Sequence, residues 1–310
     1  MIITHSSLEC FKQCRQKYFH RYMAGITPIV KSDALLFGSA VHEVLQTIFE
    51  TIESNQDSGN HEERHSLLVR LQCMINAMNM PQIEIAKLTG LIIGYINKWY
   101  DSDCAEYEVI DVEREFSYPL SKREHETTLP VSFVGKVDGI LKRKSDGKYF
   151  ILEHKTASIV DEDYISQKQI DAQTMTYAEF IGKIMEIEVS GAIHDIITKQ
   201  KIRLKKGESE EEFCDRLIAD VSDENFNRIV VEFDRNELSD FEIEMNHAID
   251  DVVHCDSYYK CTGACLGRYG ACEYLPLCRN KCDLHGVESL YEQKQKVFEE
   301  ISDETLKQGA

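Results

Sequence analysis

Residues 131–155 read VSFVGKVDGILKRKSDGKYFILEHK, and the fold is decided in this stretch. Val131 to Leu141 alternates apolar and polar side chains in the manner of a half-buried strand. Ser145-Asp146-Gly147 supplies a turn, and Tyr149 to Lys155 forms the next strand. Upstream, Glu108 to Phe116 alternates in the same way, so the expectation is a meander of three strands. Along a strand, residues two apart share a face, so Glu153 and Lys155 project together and His154 projects away. The turn folds the preceding strand back and brings Asp138, separated from Glu153 by fourteen residues, beside that pair.

Two carboxylates and an ammonium then converge at a sheet end. Carboxylate oxygens suit Mg²⁺ or Mn²⁺, and such an ion lowers the pKa of a bound water and neutralises charge developing on a phosphodiester oxygen. Lys155 would orient that water or stabilise the transition state. The same spacing also fits a plain surface hairpin with a Glu-Lys pair.

Working outward, the helical period surrounds this meander. Ser6 with Glu9 reads as a capping box opening a helix through Leu8, Phe11, Tyr18, Phe19 and Tyr22 to near Gly25. A second helix runs from Phe37 to about Ile52 with His42 at the edge of its apolar stripe. The polar stretch 53–65 reads as a surface loop, and residues 66–100 read as helical with a break at Pro81. After the meander come a helix over 163–185, a strand from Ser190 to Lys201, an acidic segment, a strand at Arg228 to Phe233 and a helix to about Val253. Gln173 and Tyr177 lie four apart, hence on one helix face, where they can contact a phosphate or position Lys155. Taken alone they read first as ordinary helix-surface and core residues, and a lone helical His such as His42 is usually structural. Glu113 on the first strand can add a carboxylate.

With 310 residues, 43% hydrophobic and 29% charged, the chain can bury a sizeable core and has no apolar run long enough to span a membrane. The N-terminus lacks the features of a signal peptide, which places the protein in the cytoplasm as an expectation. The net charge of -19 excludes a bulk basic surface, so nucleic-acid contact would need local clusters. Lys12/Arg15/Lys17/Arg21 and Lys199/Lys201/Arg203/Lys205/Lys206 are the two available. Eleven cysteines are many for a reducing compartment, and six of them fall within the 28 residues from Cys255 to Cys282. Such crowding favours metal ligation over disulfides.

Taken together, six short motifs resemble those of the RecB-like branch of the PD-(D/E)XK nuclease superfamily, which includes AddB-type domains, CRISPR-associated iron-sulphur exonucleases and phage exonucleases. In order they are Ser6 to Leu8 through Cys14 to Tyr18, Gly38 to His42, Gly135 to Asp138, Glu153 to Lys155, Gln173 to Tyr177, and Cys272 with Cys278. The resemblance implies an α/β restriction-endonuclease-like core, a mixed central sheet flanked by helices. It implies that His42, Asp138, Glu153 and the backbone carbonyl of His154 bind Mg²⁺ or Mn²⁺, that Lys155 is catalytic, and that Gln173 and Tyr177 assist it. The implied activity is exonucleolytic cleavage of DNA ends in recombination, repair or phage DNA processing, with a helicase or strand-annealing protein as a partner. A catalytically silent DNA-binding module and a structural zinc or iron-sulphur protein are the alternatives.

In the iron-sulphur members one N-terminal cysteine joins three near the C-terminus around a [4Fe-4S] cluster. Cys14, Cys272 and Cys278 match three of these. The remaining cysteine of the pattern is replaced by Tyr269, so Cys265 is taken as the fourth ligand with Cys261 next, while Cys10, Cys255 and Cys282 are left over. A Cys₄ zinc site or a set of buried thiols fits the spacing too. The organisation expected is a single nuclease domain over residues 1–310. Within it, residues 1–105 form a helical N-terminal region, 106–200 the catalytic sheet and helix, and 201–253 an elaboration. The last piece, 254–285, is a cluster segment that joins the two chain ends through its metal.

Overall fold

The computed structural model describes residues 1–30, 33–58, 64–120, 130–267 and 270–309. In chain order its strands are β1 (Ile2–Ile3), β2 (Ile26–Pro28), β3 (Tyr107–Pro119), β4 (Ser132–Arg143), β5 (Tyr149–Ala157), β6 (Val189–Thr198), β7 (Phe226–Glu232), β8 (Leu266–Gly267), β9 (Gly270–Ala271) and β10 (Tyr291–Gln293). The α-helices are α1 (His5–Gln13), α2 (Arg15–Tyr18), α3 (Asp33–Ser58), α4 (Arg64–Ala77), α5 (Gln82–Tyr95), α6 (Asp101–Glu106), α7 (Glu162–Gln169), α8 (Ala172–Met185), α9 (Glu210–Ala219), α10 (Arg235–Val253), α11 (Leu275–Arg279) and α12 (Asp303–Gly309). Residues 59–63, within the expected loop over 53–65, and Tyr269 lie outside the described residues. The chain falls into two compact units, one of residues 1–32, 115–136 and 239–310, the other of 33–114 and 137–238.

The second unit holds the sheet that the alternating stretch predicts. β4 runs antiparallel to β5 with Gly139 opposite Leu152, β5 runs parallel to β6, and β6 runs antiparallel to β7. β3 also pairs with β4, which completes the expected meander. The sheet is therefore mixed, because the β5 to β6 connection crosses over through α7 and α8 while the others turn back. Phe150, Leu152, Ile193 and Ile197 present one face of it to Phe37, Val41, Leu45, Ile48, Leu88, Leu91 and Ile92 of α3 and α5. Each such side chain contributes roughly 1.5–3 kcal/mol on burial, so this face anchors the unit. α8 packs on β5 and β6, burying Met175, Ala178, Phe180 and Ile181. Helices therefore flank a central mixed sheet, as the sequence led one to expect.

At several boundaries the structure corrects the sequence reading. The first helix is capped by Thr4, not Ser6: the Ser7 N–H donates to Thr4 Oγ1 at 3.1 Å, and the Thr4 N–H donates to Ser7 Oγ at 2.9 Å. A second hydroxyl three residues on does the work expected of Glu9, which instead takes an ion pair from Lys12 at 2.8 Å. That helix also breaks at Cys14, whose backbone is extended (φ −163°, ψ 112°), before α2 and a π-helical turn over Phe19–Met23. The second helix is longer than its apolar stripe, running from Asp33 to Ser58. The helical stretch over 163–185 is two helices, since Asp171 caps α8 by accepting from the Thr174 N–H at 3.1 Å. Within the acidic segment, Ser209 and Glu212 form a capping box that opens α9.

The first unit is built from small clusters. β1 pairs in parallel with the start of β4, and β2 pairs antiparallel with β10. Ile26, Tyr274, Leu277 and Tyr291 form one apolar cluster with Cys272 and Cys278 packed against it. Gly25 (φ +66°) must be glycine, because a Cβ there would collide with the Lys294 carbonyl oxygen. Among the described residues, no helix is long and apolar enough to cross a membrane.

Candidate active site

All the residues expected to carry the chemistry except the cysteines fall in the second unit. Asp138 stands near the point where β4 begins to pair with β5. Its Oδ2 accepts the His154 N–H at 2.7 Å, and its Oδ1 lies 3.3 Å from His42 Nδ1 on α3. Burial acts to raise its pKa, but the hydrogen bond and charge of His42 with the His154 N–H outweigh it and hold the carboxyl at about 2. Asp138 is therefore ionised throughout the physiological range. His42 gains in return: burial lowers its pKa, yet the bond to Asp138 raises it overall.

Glu113 joins this pair. Ligand atoms of His42, Glu113 and Asp138 all lie within 4.8 Å of one another, a spacing at which one cation can be shared. Glu113 has φ +51°, rare for a residue with a Cβ, in the middle of β3. Such a kink interrupts strand alternation and re-aims one side chain, which is how strand irregularities commonly serve sites.

Glu153 is 2% exposed, and its pKa is pushed up to about 7, first by burial and then by the charge of Asp138, against the pull of Lys155. Its Oε1 pairs with Lys155 Nζ, while Oε2 is buried with no hydrogen-bond partner among the described residues. A buried, orphaned carboxylate oxygen is costly, and a bound cation would satisfy it. Lys155 Nζ donates to Gln173 Oε1 at 3.0 Å, and Gln173 Nε2 donates to Tyr177 OH at 3.3 Å. Burial lowers the Lys155 pKa, but Glu153 raises it overall and keeps the ammonium charged. The environments of the two carboxyls thus drive their pKa values apart, the pattern of sites that divide charge and proton between paired acids.

His154 does not turn its ring into this cluster. The ring is buried, packs against Phe49 with centroids 5.3 Å apart, and stands 3.8 Å from Asp195 through Nδ1. Burial brings its pKa down to about 4, so it is neutral, and its backbone faces Asp138. Asp195 is held in turn by the Tyr95 hydroxyl at 2.6 Å and by Arg228, which also pairs with Asp103 and packs over Trp99 at 4.3 Å. This buried charge network had no signature in the sequence.

The cysteines lie in the first unit. The helix break at Cys14 leaves its Sγ accepting the Cys261 N–H at 3.4 Å. The hairpin of β8 and β9 joins Cys265 to Cys272 through a 2.8 Å bond from the Cys272 N–H to the Cys265 carbonyl. Burial pushes the Cys278 thiol up to about 11, with Cys282 adding to the rise and Lys260 opposing it. All the cysteines are free thiols. The first basic stretch is largely matched within the same unit: Lys17 and Arg21 face Glu273, and Arg15 lies over Phe11 and Tyr259. Lys199 of the second stretch lies over the Phe37 ring at 3.5 Å and pairs with Glu84.

A carboxylate on one strand, and a Glu and Lys two apart on its antiparallel neighbour, form the kind of site that metal-assisted phosphodiester chemistry employs. The chain belongs to the PD-(D/E)XK nuclease superfamily, whose family model matches residues 2–279. Among solved structures it is similar to a chain from Eubacterium rectale described as "Putative exonuclease", with 13% identity, a TM-score of 0.48, and coverage of 97% of this chain and 93% of that one. No curated protein matches it at a significant level.

Proposed function

We propose that the protein is a metal-dependent DNA exonuclease of the RecB-like branch, acting on DNA ends in recombination, repair or phage DNA processing beside a helicase or strand-annealing partner. The observation that carries this reading is the pairing of a fully ionised Asp138 with a buried Glu153, whose one free oxygen has no partner among the described residues. His42, Asp138, Glu153 and the His154 carbonyl, joined by Glu113, would hold Mg²⁺ or Mn²⁺. When bound, that ion supplies an acidified water and charge neutralisation at the scissile phosphate. Lys155 would offer its ammonium to the attacking oxygen, its position fixed by the hydrogen-bond chain through Gln173 and Tyr177. In the same reading Cys14, Cys265, Cys272 and Cys278 hold a [4Fe-4S] cluster that ties chain ends some 250 residues apart and restrains the unfolded chain. The protein localises to the cytoplasm.

The test is digestion of linear and covalently closed circular DNA in Mn²⁺, with end label on either strand. Loss of the linear form from one end, with the circle intact, is the expected result. Cleavage of the circle would overturn the requirement for an end, and binding without cleavage of either would make the fold a silent DNA-binding module.

A further inference from the structure

His20 and Cys282 have no place in the four-cysteine set, yet they meet one of its members. His20 Nε2 stands 3.8 Å from Cys278 Sγ, and ligand atoms of His20, Cys278 and Cys282 all lie within 4.8 Å of one another. From these contacts we propose that His20, Cys278 and Cys282 form a mononuclear site for a Zn²⁺-class cation, an alternative to the four-cysteine set with which it shares Cys278. It does not rest on the nuclease reading.

Three observations support the site. First, the spacing suits one ion: with Zn–S near 2.3 Å and Zn–N near 2.0 Å, tetrahedral ligand atoms sit about 3.5 Å apart. In a [4Fe-4S] cluster each cysteine binds a different iron, so the sulphurs stand farther apart. Second, the backbone is bent to bring the ligands together. Lys281 and Cys282 follow one another at φ +55° and +63°, and the Cys282 N–H returns to the Leu277 carbonyl at 2.9 Å. Two consecutive left-handed residues bearing side chains are costly, and the Asn280 amide holds the turn by donating to the Asp283 and His285 carbonyls, each at 2.7 Å. Third, His20 is 1% exposed and stacks on Tyr274 at 5.5 Å, which fixes the ring with its Nε2 on the Cys278 side, where it also meets the Gln16 side-chain amide at 3.3 Å. Imidazole and thiolate are the donors that borderline-soft divalent ions prefer.

Because Cys278 belongs to both sets, one chain holds either the mononuclear ion or the four-cysteine cluster. Either ties the π-helical turn or its neighbour Cys14 to the C-terminal segment.

The experiment is an anaerobic Co²⁺ titration of metal-free full-length protein, followed through the thiolate-to-cobalt charge-transfer band and the tetrahedral d–d bands. The carboxylate cluster around Asp138 has no thiolate and contributes nothing to the first of these. One equivalent should bind and be displaced by Zn²⁺. H20A and C282S should each weaken binding by at least about tenfold, while C265S leaves it unchanged. If H20A unfolds, H20C serves instead: retained binding with a stronger charge-transfer band supports the site. Unchanged Co²⁺ affinity in folded H20A and C282S, or equal loss in C265S, would overturn it.

Discussion

Replacing Glu153 by Gln should stabilise the metal-free protein, by an amount that depends on pH. Below about pH 4 the carboxyl is protonated in both folded and unfolded chains, and Gln closely resembles it. As the pH rises past the ordinary value of 4.5, the unfolded chain releases the proton, whereas the folded chain keeps it until about 7. Stability contributed by the protonated carboxyl is therefore full below the unfolded pKa and lost as the pH passes through the folded one. A displacement from 4.5 to about 7 corresponds to about 3 kcal/mol, and with 2% exposure little of it is screened. E153Q should match wild type near pH 4 and exceed it by about 3 kcal/mol at pH 8, or roughly 5 °C in Tm. Urea unfolding at a series of pH values in EDTA reads this difference directly. A difference that is flat with pH, or a variant less stable than wild type at pH 8, would refute the claim that Glu153 is held strained for its cation.

Other perturbations have equally definite outcomes. Arg228→Ala strands Asp103 and Asp195 as buried charges and should cost about 3–5 kcal/mol in urea unfolding at neutral pH. Gly191→Ala drives a Cβ into the Val231 carbonyl oxygen across the β6–β7 ladder, so it should lose at least about 3 kcal/mol or fail to fold, visible by circular dichroism. Glu113→Gln should weaken Mn²⁺ binding at least about tenfold by calorimetry while leaving Tm in EDTA close to wild type.

The alternating runs from Glu108 to Lys155 made the sheet legible, because a period of two with one turn between strands leaves little freedom in register. Asp138, Glu153 and Lys155 share a neighbourhood for that reason, and the four-residue spacing of Gln173 and Tyr177 placed both on one helix face. Glu113 was visible as a carboxylate on a strand, but its positive φ was not, since no glycine or asparagine marks the kink. His20 and Cys282 were hidden for a similar reason: their meeting depends on a helix that breaks at Cys14 and on two left-handed residues after α11. The short strands β1, β2 and β10 span two or three residues each, too few to show a period. The Thr4 cap was missed because Ser6 offered a competing hydroxyl two residues on.

In the proposed function Asp138, Glu153 and Lys155 act together as one metal-dependent nuclease site. The most direct measurement is Mn²⁺-dependent release of labelled nucleotides from DNA ends by wild type beside Lys155→Ala, with Mn²⁺ affinity measured on both. Wild type should release label in a reaction that EDTA abolishes, and the variant should release none despite retained Mn²⁺ binding. Undiminished release by a folded Lys155→Ala protein would contradict it.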